Sequence, residues 1–228
     1  MTAAATDRTG RSSHGLKGIA FLYFGVATFT LQDVIIKFIS ADYPVAEALT
    51  IRSVVAYGPL LLFLLFDGGL AALNCAHKGW VILRAACLFT AYTAYYLALA
   101  ALPMSTMAAP FFSAPLFIVA LSGPLLGERA GLGRWLAVLV GFAGALIVTR
   151  PDAADFEPAA LLAALASALA YGTAQRLARR YAAAVTTTAM AVYQNRVNLA
   201  GALAIGLLFG SGAWADQGHV SPDFLLRA

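Results

Sequence analysis

The sequence predicts an all-α integral membrane protein with about seven transmembrane helices. Composition is the first observation: 61% of the 228 residues are hydrophobic, 11% are charged, and the mean hydropathy is +0.79. Soluble domains carry roughly a quarter charged residues, so this inventory cannot clothe a water-soluble surface. The second is that apolar runs of about twenty residues, each able to cross a ~30 Å hydrocarbon core, recur from Gly18 onward. The third is that no strand-length alternation recurs, which argues against a barrel.

The spans fall near residues 18–39, 44–66, 83–102, 104–126, 132–149, 158–176 and 186–209. Before the first lies MTAAATDRTGRSSHG, a small, polar and basic tail over residues 1–15. It looks like a signal-peptide n-region, but the following apolar run is too long for an h-region and has no clear A-x-A site. The run is therefore read as a retained span. The first hairpin turns at Ser40-Ala41-Asp42-Tyr43-Pro44, and spans three and four meet at Leu102-Pro103. Longer connections cover residues 67–79, 127–131 and 150–158. Pro59 in span two and Pro110 and Pro115 in span four predict kinks. Ala137, Gly141 and Ala145 in span five, and Ala164, Ala168 and Gly172 in span six, are spaced four apart. That spacing lets helix backbones approach closely in lipid.

Sorting basic residues onto alternate sides gives an orientation. One side receives ten: Arg8, Arg11, Lys17, Lys78, Arg84, Arg129, Arg134, Arg176, Arg179 and Arg180. The other receives only Arg150 from the inter-helix loops, with Asp42, Asp152, Asp155 and Glu157. The asymmetry predicts a cytoplasmic N-terminus in an inner membrane. The +4 balance is dispersed along loop edges, so no nucleic-acid partner is implied. Cys75, in a polar loop, and Cys87, inside an apolar run, do not suggest a disulfide.

Charged groups inside a span cost ~2.5–3.5 kcal/mol each on insertion scales, so each needs a reason. Counted from Asp42, Asp33 lies nine residues down one helix and Arg52 ten down the next, a depth of ~14 Å for each at 1.5 Å per residue. They either form a hairpin-fixing ion pair or hold a charged solute between them. Lys37, one turn above Asp33, suits snorkelling or a pair with Asp33, and otherwise solute contact. Glu47 is shallow and suits the outer mouth. Span seven gathers Tyr193, Gln194, Asn195, Arg196 and Asn198, polar groups that must line protein or a watery cavity. Tyr92, Tyr95 and Tyr96 mark one side of span three, a pattern of packing or of a pathway wall. His14, His77 and His219 lie outside the spans, which removes an intramembrane Ser-His or H-E-x-x-H site. No phosphate-binding G-x-x-x-x-G-K-[ST] occurs, no metal or cofactor is called for, and no enzymatic activity is expected.

Spans four and five read LPMSTMAAPFFSAPLFIVALSGPLLGER and GRWLAVLVGFAGALIVTRP, and the opening hairpin reads DVIIKFISADYPVAEALTIRS. The proline-bearing span four, the Gly127-Glu128-Arg129 loop, the Gly141-x-x-Gly144 helix ending in Arg150-Pro151, and Asp33, Lys37, Tyr43-Pro44 and Arg52 together resemble the EamA-type drug/metabolite transporters. That resemblance implies two five-helix repeats of inverted topology. Residues 16–150 are then one complete repeat and residues 151–228 the first two helices of a second, three helices short. The run beginning at Arg52 parallels the one beginning at Arg196, each in the second helix of its repeat. The implied function is secondary transport of a small polar metabolite through a pathway between repeats. Asp33, Arg52, Gln194, Asn195, Arg196, Asn198, Lys37, Glu47, Tyr92 and Tyr96 are its candidate lining. Both signs of charge on that pathway suit a zwitterionic solute. Partners are then the solute, the bilayer, and another copy or the three further helices. The competing expectations are a truncated bundle without transport and a seven-helix sensor. A retinal-based sensor needs a lysine in span seven, which has Arg196 instead.

Overall fold

The computed structural model describes residues 3–39, 43–75, 77–127, 130–149 and 157–209. These form nine α-helices and no strand among the described residues. They are α1 (Ala3–Ile39), α2 (Val45–Phe66), α3 (Lys78–Ala101), α4 (Met104–Phe111), α5 (Ala114–Ala120), α6 (Ser122–Leu126), α7 (Leu132–Thr149), α8 (Pro158–Tyr181) and α9 (Thr187–Phe209). Because α4, α5 and α6 occupy one predicted span, the architecture is a membrane helical bundle of about seven spans. Gly18–Ile39, α2 and α3 are each long and apolar enough to cross a bilayer. The expected turn at Asp42, the Glu128-Arg129 and 150–156 connections and the tail from 210 fall outside the described residues.

The chain divides into two units, Met1–Ile39 and Ser40–Ala228. The first is α1, which continues through the polar stretch expected as a tail. Phe21, Leu22, Tyr23 and Phe24 on it are exposed, the ordinary state of apolar side chains whose solvent is lipid.

Within the second unit α3 is central, packing chiefly on α8 and α9, while α2 packs on α9 and α5 on α8. The core is rich in alanine: Ala85, Ala98, Ala164, Ala168, Ala174, Ala189 and Ala202 are all buried. Small side chains are what allow close helix approach where lipid offers no hydrophobic drive. Phe89 fills the space left by Gly201, where a Cβ would overlap its ring. A Cβ at Gly172 would come within 3.2 Å of Phe117 Cβ on α5.

Proline acts differently in the two spans that carry it. Pro59 is accommodated inside a continuous α2. The predicted kink of span four is instead a set of breaks. After Pro110 the chain leaves the helix, with the Ser113 amide 3.0 Å and its hydroxyl 2.5 Å from the Pro110 carbonyl. Pro115 then opens α5 at its first turn, where no amide hydrogen is needed. Gly127, at φ 71°, ends α6 in the left-handed conformation that favours glycine.

The two small-residue stripes part company. Ala164, Ala168 and Gly172 on α8 are buried. On α7, Ala137 and Gly141 are exposed, and nothing lies within 4 Å of a Cβ at Gly141. Two of the three small residues of the expected close-packing face of span five are therefore open in the second unit. The α7 face that packs carries Trp135, Val138, Phe142 and Ala145.

One end of the second unit is closed by Leu64, Leu73, Val81, Val185, Ala189, Met190 and Val192. Gly68 and Gly69, with φ of 98° and 66°, turn the chain into the short 3-10 turn Gly69–Leu73 that supplies Leu73. Trp80 stacks on Tyr181 at 5.8 Å there, so Lys78, Arg179 and Arg180 share that end, as the charge sorting requires.

Candidate functional site

Arg52 lies seven residues into α2, far from either end for a charged side chain. Its Nη1 donates to the Tyr96 hydroxyl at 2.8 Å, and its guanidinium carbon sits 4.7 Å from the Tyr92 ring centroid. Tyr92 and Tyr96 are one turn apart on α3 and stack at 6.4 Å, so both reach the same cation. The phenol accepts one hydrogen bond and the ring face attracts the charge electrostatically. Neither partner carries a negative charge, so the arginine is held in place with its field intact. Tyr96 is buried, with 1% exposure, and fixes the geometry. Tyr95 meets Tyr96 and Phe111 edge-on, and Phe111 leads to Tyr171 of α8 at 6.0 Å.

The polar run of α9 is distributed over several neighbours. Tyr193 donates to the Leu73 carbonyl at 2.9 Å, Gln194 Nε2 to the Ala85 carbonyl at 3.2 Å, and Asn195 Nδ2 to the Ser53 carbonyl at 2.9 Å. Gln194 Nε2 also meets Asn198 Oδ1 at 2.9 Å. Three successive side chains therefore tie α9 to the loop, to α3 and to α2, because 100° per residue aims them at different neighbours. Asn195 and Asn198 are buried, whereas Arg196 is exposed and lies 5.9 Å over its neighbour Tyr193. The expected polar wall is in part a set of helix clamps, and Arg196 is not on its buried side.

The contacts fix helix directions. Ala85 with Gln194, then Phe89 with Gly201, run parallel; Ser53 with Asn195, then Ala46 with Gly206, run antiparallel. The α2–α9 crossing at Ser53 and Asn195 lies one residue from Arg52 and one from Arg196, the two positions that the internal similarity aligns.

The remaining candidates are on α1 and in the first turn of α2. Asp33 and Lys37 are half-buried on α1, in the first unit, while Arg52 belongs to the second. Glu47 is exposed in the first turn of α2. Among the described residues no group of three His, Cys, Asp or Glu side chains gathers as a metal site.

Two arginines read from sequence as loop-edge charges are interior groups. Arg176 is 5% exposed and its Nε donates to the Ile118 carbonyl at 2.6 Å. Helix α5 ends two residues later, so that carbonyl belongs to a last turn in need of donors. Position 176 also continues the buried stripe 168–172 by one more turn, the pattern that marks it in sequence. Arg84 is half-buried, with Nε and Nη1 enclosed and without a hydrogen-bond partner among the described residues. Its electrostatic neighbours are Tyr92 and Tyr171. It lies one turn before buried Leu88, a periodicity obscured by starting the span at residue 83 when the helix starts at Lys78.

A model of the EamA-like transporter family matches residues 16–150. An S-adenosylmethionine uptake transporter of Rickettsia conorii is 30% identical over 152 residues, 67% of this chain and 51% of that protein. A riboflavin transporter of Vibrio cholerae is 30% identical over 155 residues, 65% of this chain and 51% of that one. A pseudopaline exporter of Pseudomonas aeruginosa is 28% identical over 134 residues, covering 59% and 46%. The chain spans about half the length of the curated relatives it matches. A solved crystal structure shares the fold at TM-score 0.59 and 20% identity, covering 86% of this chain and 71% of that one.

Proposed function

Because the chain belongs to the EamA-like transporter family, we propose that it carries a small polar metabolite across the bacterial inner membrane as a secondary transporter, with its N-terminus in the cytoplasm. The observation that carries this reading is Arg52, a cation in a membrane-spanning helix held by the hydroxyl of Tyr96 and the ring of Tyr92. Such a group attracts the anionic end of a solute, and ionisable groups inside a membrane mark solute pathways by default. Tyr92, Tyr96, Gln194 and Asn198 accompany it. From the sequence alone, Asp33, Lys37 and Glu47 join them as groups able to meet a cationic end. The relatives are named for the transport of S-adenosylmethionine, riboflavin and pseudopaline, which supports a small polar metabolite as the solute. In this reading α1 to α7 form one repeat, α8 and α9 open the second, and α2 and α9 cross at the pseudo-symmetry axis. Their antiparallel contact beside Arg52 and Arg196 supports that assignment.

The test is uptake into proteoliposomes of a panel of zwitterionic and anionic metabolites, with the 228-residue chain and with a form extended by three helices. At least one solute should enter above the rate of protein-free vesicles, and Arg52→Gln should lower that uptake about tenfold, equivalent to about 1.4 kcal/mol. If neither form accelerates any solute, the transport reading is wrong. Orientation is read separately: a cysteine at Ala154 should be labelled by an impermeant reagent in intact cells, and labelling only after permeabilisation would reverse the topology.

A second reading is a bundle that gains its pathway only by association with further helices or another copy. What favours it is exposed Arg196, since an arginine facing open lipid is costly. The short and extended forms, compared for oligomeric state and thermal stability in detergent, separate the two.

A further inference from the structure

The guanidinium of Arg84 is placed unlike the other interior arginines. Arg176 gives its Nε to the Ile118 carbonyl at 2.6 Å, and Arg52 gives Nη1 to Tyr96 at 2.8 Å. In Arg84, both Nε and Nη1 are enclosed with no hydrogen-bond partner among the described residues. A snorkelling arginine would carry these atoms out to the interface, and a structural one would find a carbonyl, as Arg176 does. Unsatisfied buried donors on a cation are costly and call for an explanation.

The surroundings point to a ligand. Tyr92 interacts electrostatically with both Arg52 and Arg84, and Tyr171 of α8 also interacts with Arg84. Arg84 and Tyr92 are eight residues apart on α3, or about 12 Å at 1.5 Å per residue. Arg84 therefore springs from α3 at a different level from the tyrosines that hold Arg52. Gln194 donates to the carbonyl of Ala85, the residue after Arg84, and its Oε1 is enclosed without a partner among the described residues. The Gln194 amide on α9 is thus anchored at the α3 residue that follows Arg84.

We propose that Arg84 is a second oxyanion-binding position on the solute route, taking a carboxylate or phosphate group that has passed Arg52 and Tyr92. The proposal rests on the transporter reading and deepens it. A solute's oxyanion completes the donors of Arg84. Two separated cations favour stepwise movement over tight capture, because neither site must hold the anion alone.

The test uses the purified full chain in detergent with inorganic phosphate and acetate as probes, against chloride at equal ionic strength. The thermal midpoint of the parent should rise by about 3 °C with either oxyanion, as ligand binding to the native state requires. Arg84→Met, which keeps the stem and removes the charge, should start at a higher midpoint and show no oxyanion response, while Arg84→Lys should retain part of it. A full response in Arg84→Met overturns the proposal. Accessibility gives a second measure. With Cys75→Ser and Cys87→Ser, a cysteine at position 84 should react about tenfold faster with an anionic than with a cationic thiosulfonate, and Arg52→Gln should shrink that preference. Equal rates, or no reaction, overturn it as well. Solute uptake that survives without an Arg84-dependent response removes this site alone. An Arg84-dependent response in a chain that moves no solute removes the transport reading instead.

Discussion

On α8, Ala164, Ala168 and Gly172 are buried within the bundle, with Gly172 backed against Phe117 and Ile118 of α5. On α7, Ala137 and Gly141, of the same four-residue spacing, are exposed. The arginines repeat the contrast: Arg52 on α2 is enclosed by two tyrosines, and its aligned counterpart Arg196 on α9 is exposed. A sequence signal for close approach states what a helix permits. Whether it is used depends on a neighbour supplied from elsewhere in the chain. In this molecule α5 supplies it for Gly172 of α8, and α3 supplies it for Arg52.

The comparison breaks most sharply at Gly172. A Cβ there meets Phe117 Cβ at 3.2 Å and the Ile118 amide nitrogen at 3.4 Å, groups that cannot rotate aside. Gly172→Val should therefore cost about 2–3 kcal/mol and lower the thermal midpoint in detergent by about 6 °C. It also pushes α8 from the carbonyl that Arg176 serves. A midpoint equal to the parent's would show that α5 and α8 are not in close contact.

The arginine pair is the next test. Arg52→Gln removes a hydrogen bond to Tyr96 and a cation–π contact with Tyr92, a loss of about 1–2 kcal/mol. Arg196→Gln, on an exposed residue whose charge is costly against lipid, should leave stability unchanged or raise it. Equal effects in chemical-denaturant titrations would erase the distinction between the two positions.

Asn195 sharpens the picture at the α2–α9 crossing. Asn195→Ala removes the bond to the Ser53 carbonyl, and interhelical bonds of this kind contribute about 1 kcal/mol in membranes. The expected result is a midpoint about 3 °C lower with the secondary structure unchanged. Loss of helical signal instead would mean that Asn195 supports α9 itself.

Much of the fold was legible because membrane spans are written in length and hydropathy, which need no knowledge of neighbours. The break of span four was legible only as a kink, since Pro110 and Pro115 announce missing donors without saying whether the helix resumes on one axis. Hydropathy starts the third span at 83, five residues after α3 begins at Lys78, because Lys78 and Arg84 read as loop charges. That shift concealed Arg84 as an interior group. Arg52 stood out as a charge in a span, but Tyr96 and Tyr92 left no charge signal, so its aromatic partners were visible only as a stripe. Arg176 was hidden by its neighbours Arg179 and Arg180, which are exposed as a helix end requires, although its spacing from Ala168 and Gly172 marks it as buried.

The smallest expected effect belongs to Gly141, and it is the control that gives the others meaning. A Cβ at Gly141 meets nothing within 4 Å, so Gly141→Val adds no clash inside the second unit. Valine also loses less on entering a helix than glycine does, by roughly 0.5 kcal/mol, so the change should be neutral or slightly stabilising. The midpoint should lie within about 2 °C of the parent's, measured beside Gly172→Val in the same detergent. The two substitutions add the same atoms to helices with the same small-residue spacing and differ only in what stands opposite. A fall for Gly141→Val as large as that for Gly172→Val would mean that the α7 stripe is closed against a partner in the folded protein. The spacing alone would then predict packing, and the contrast between α7 and α8 would disappear.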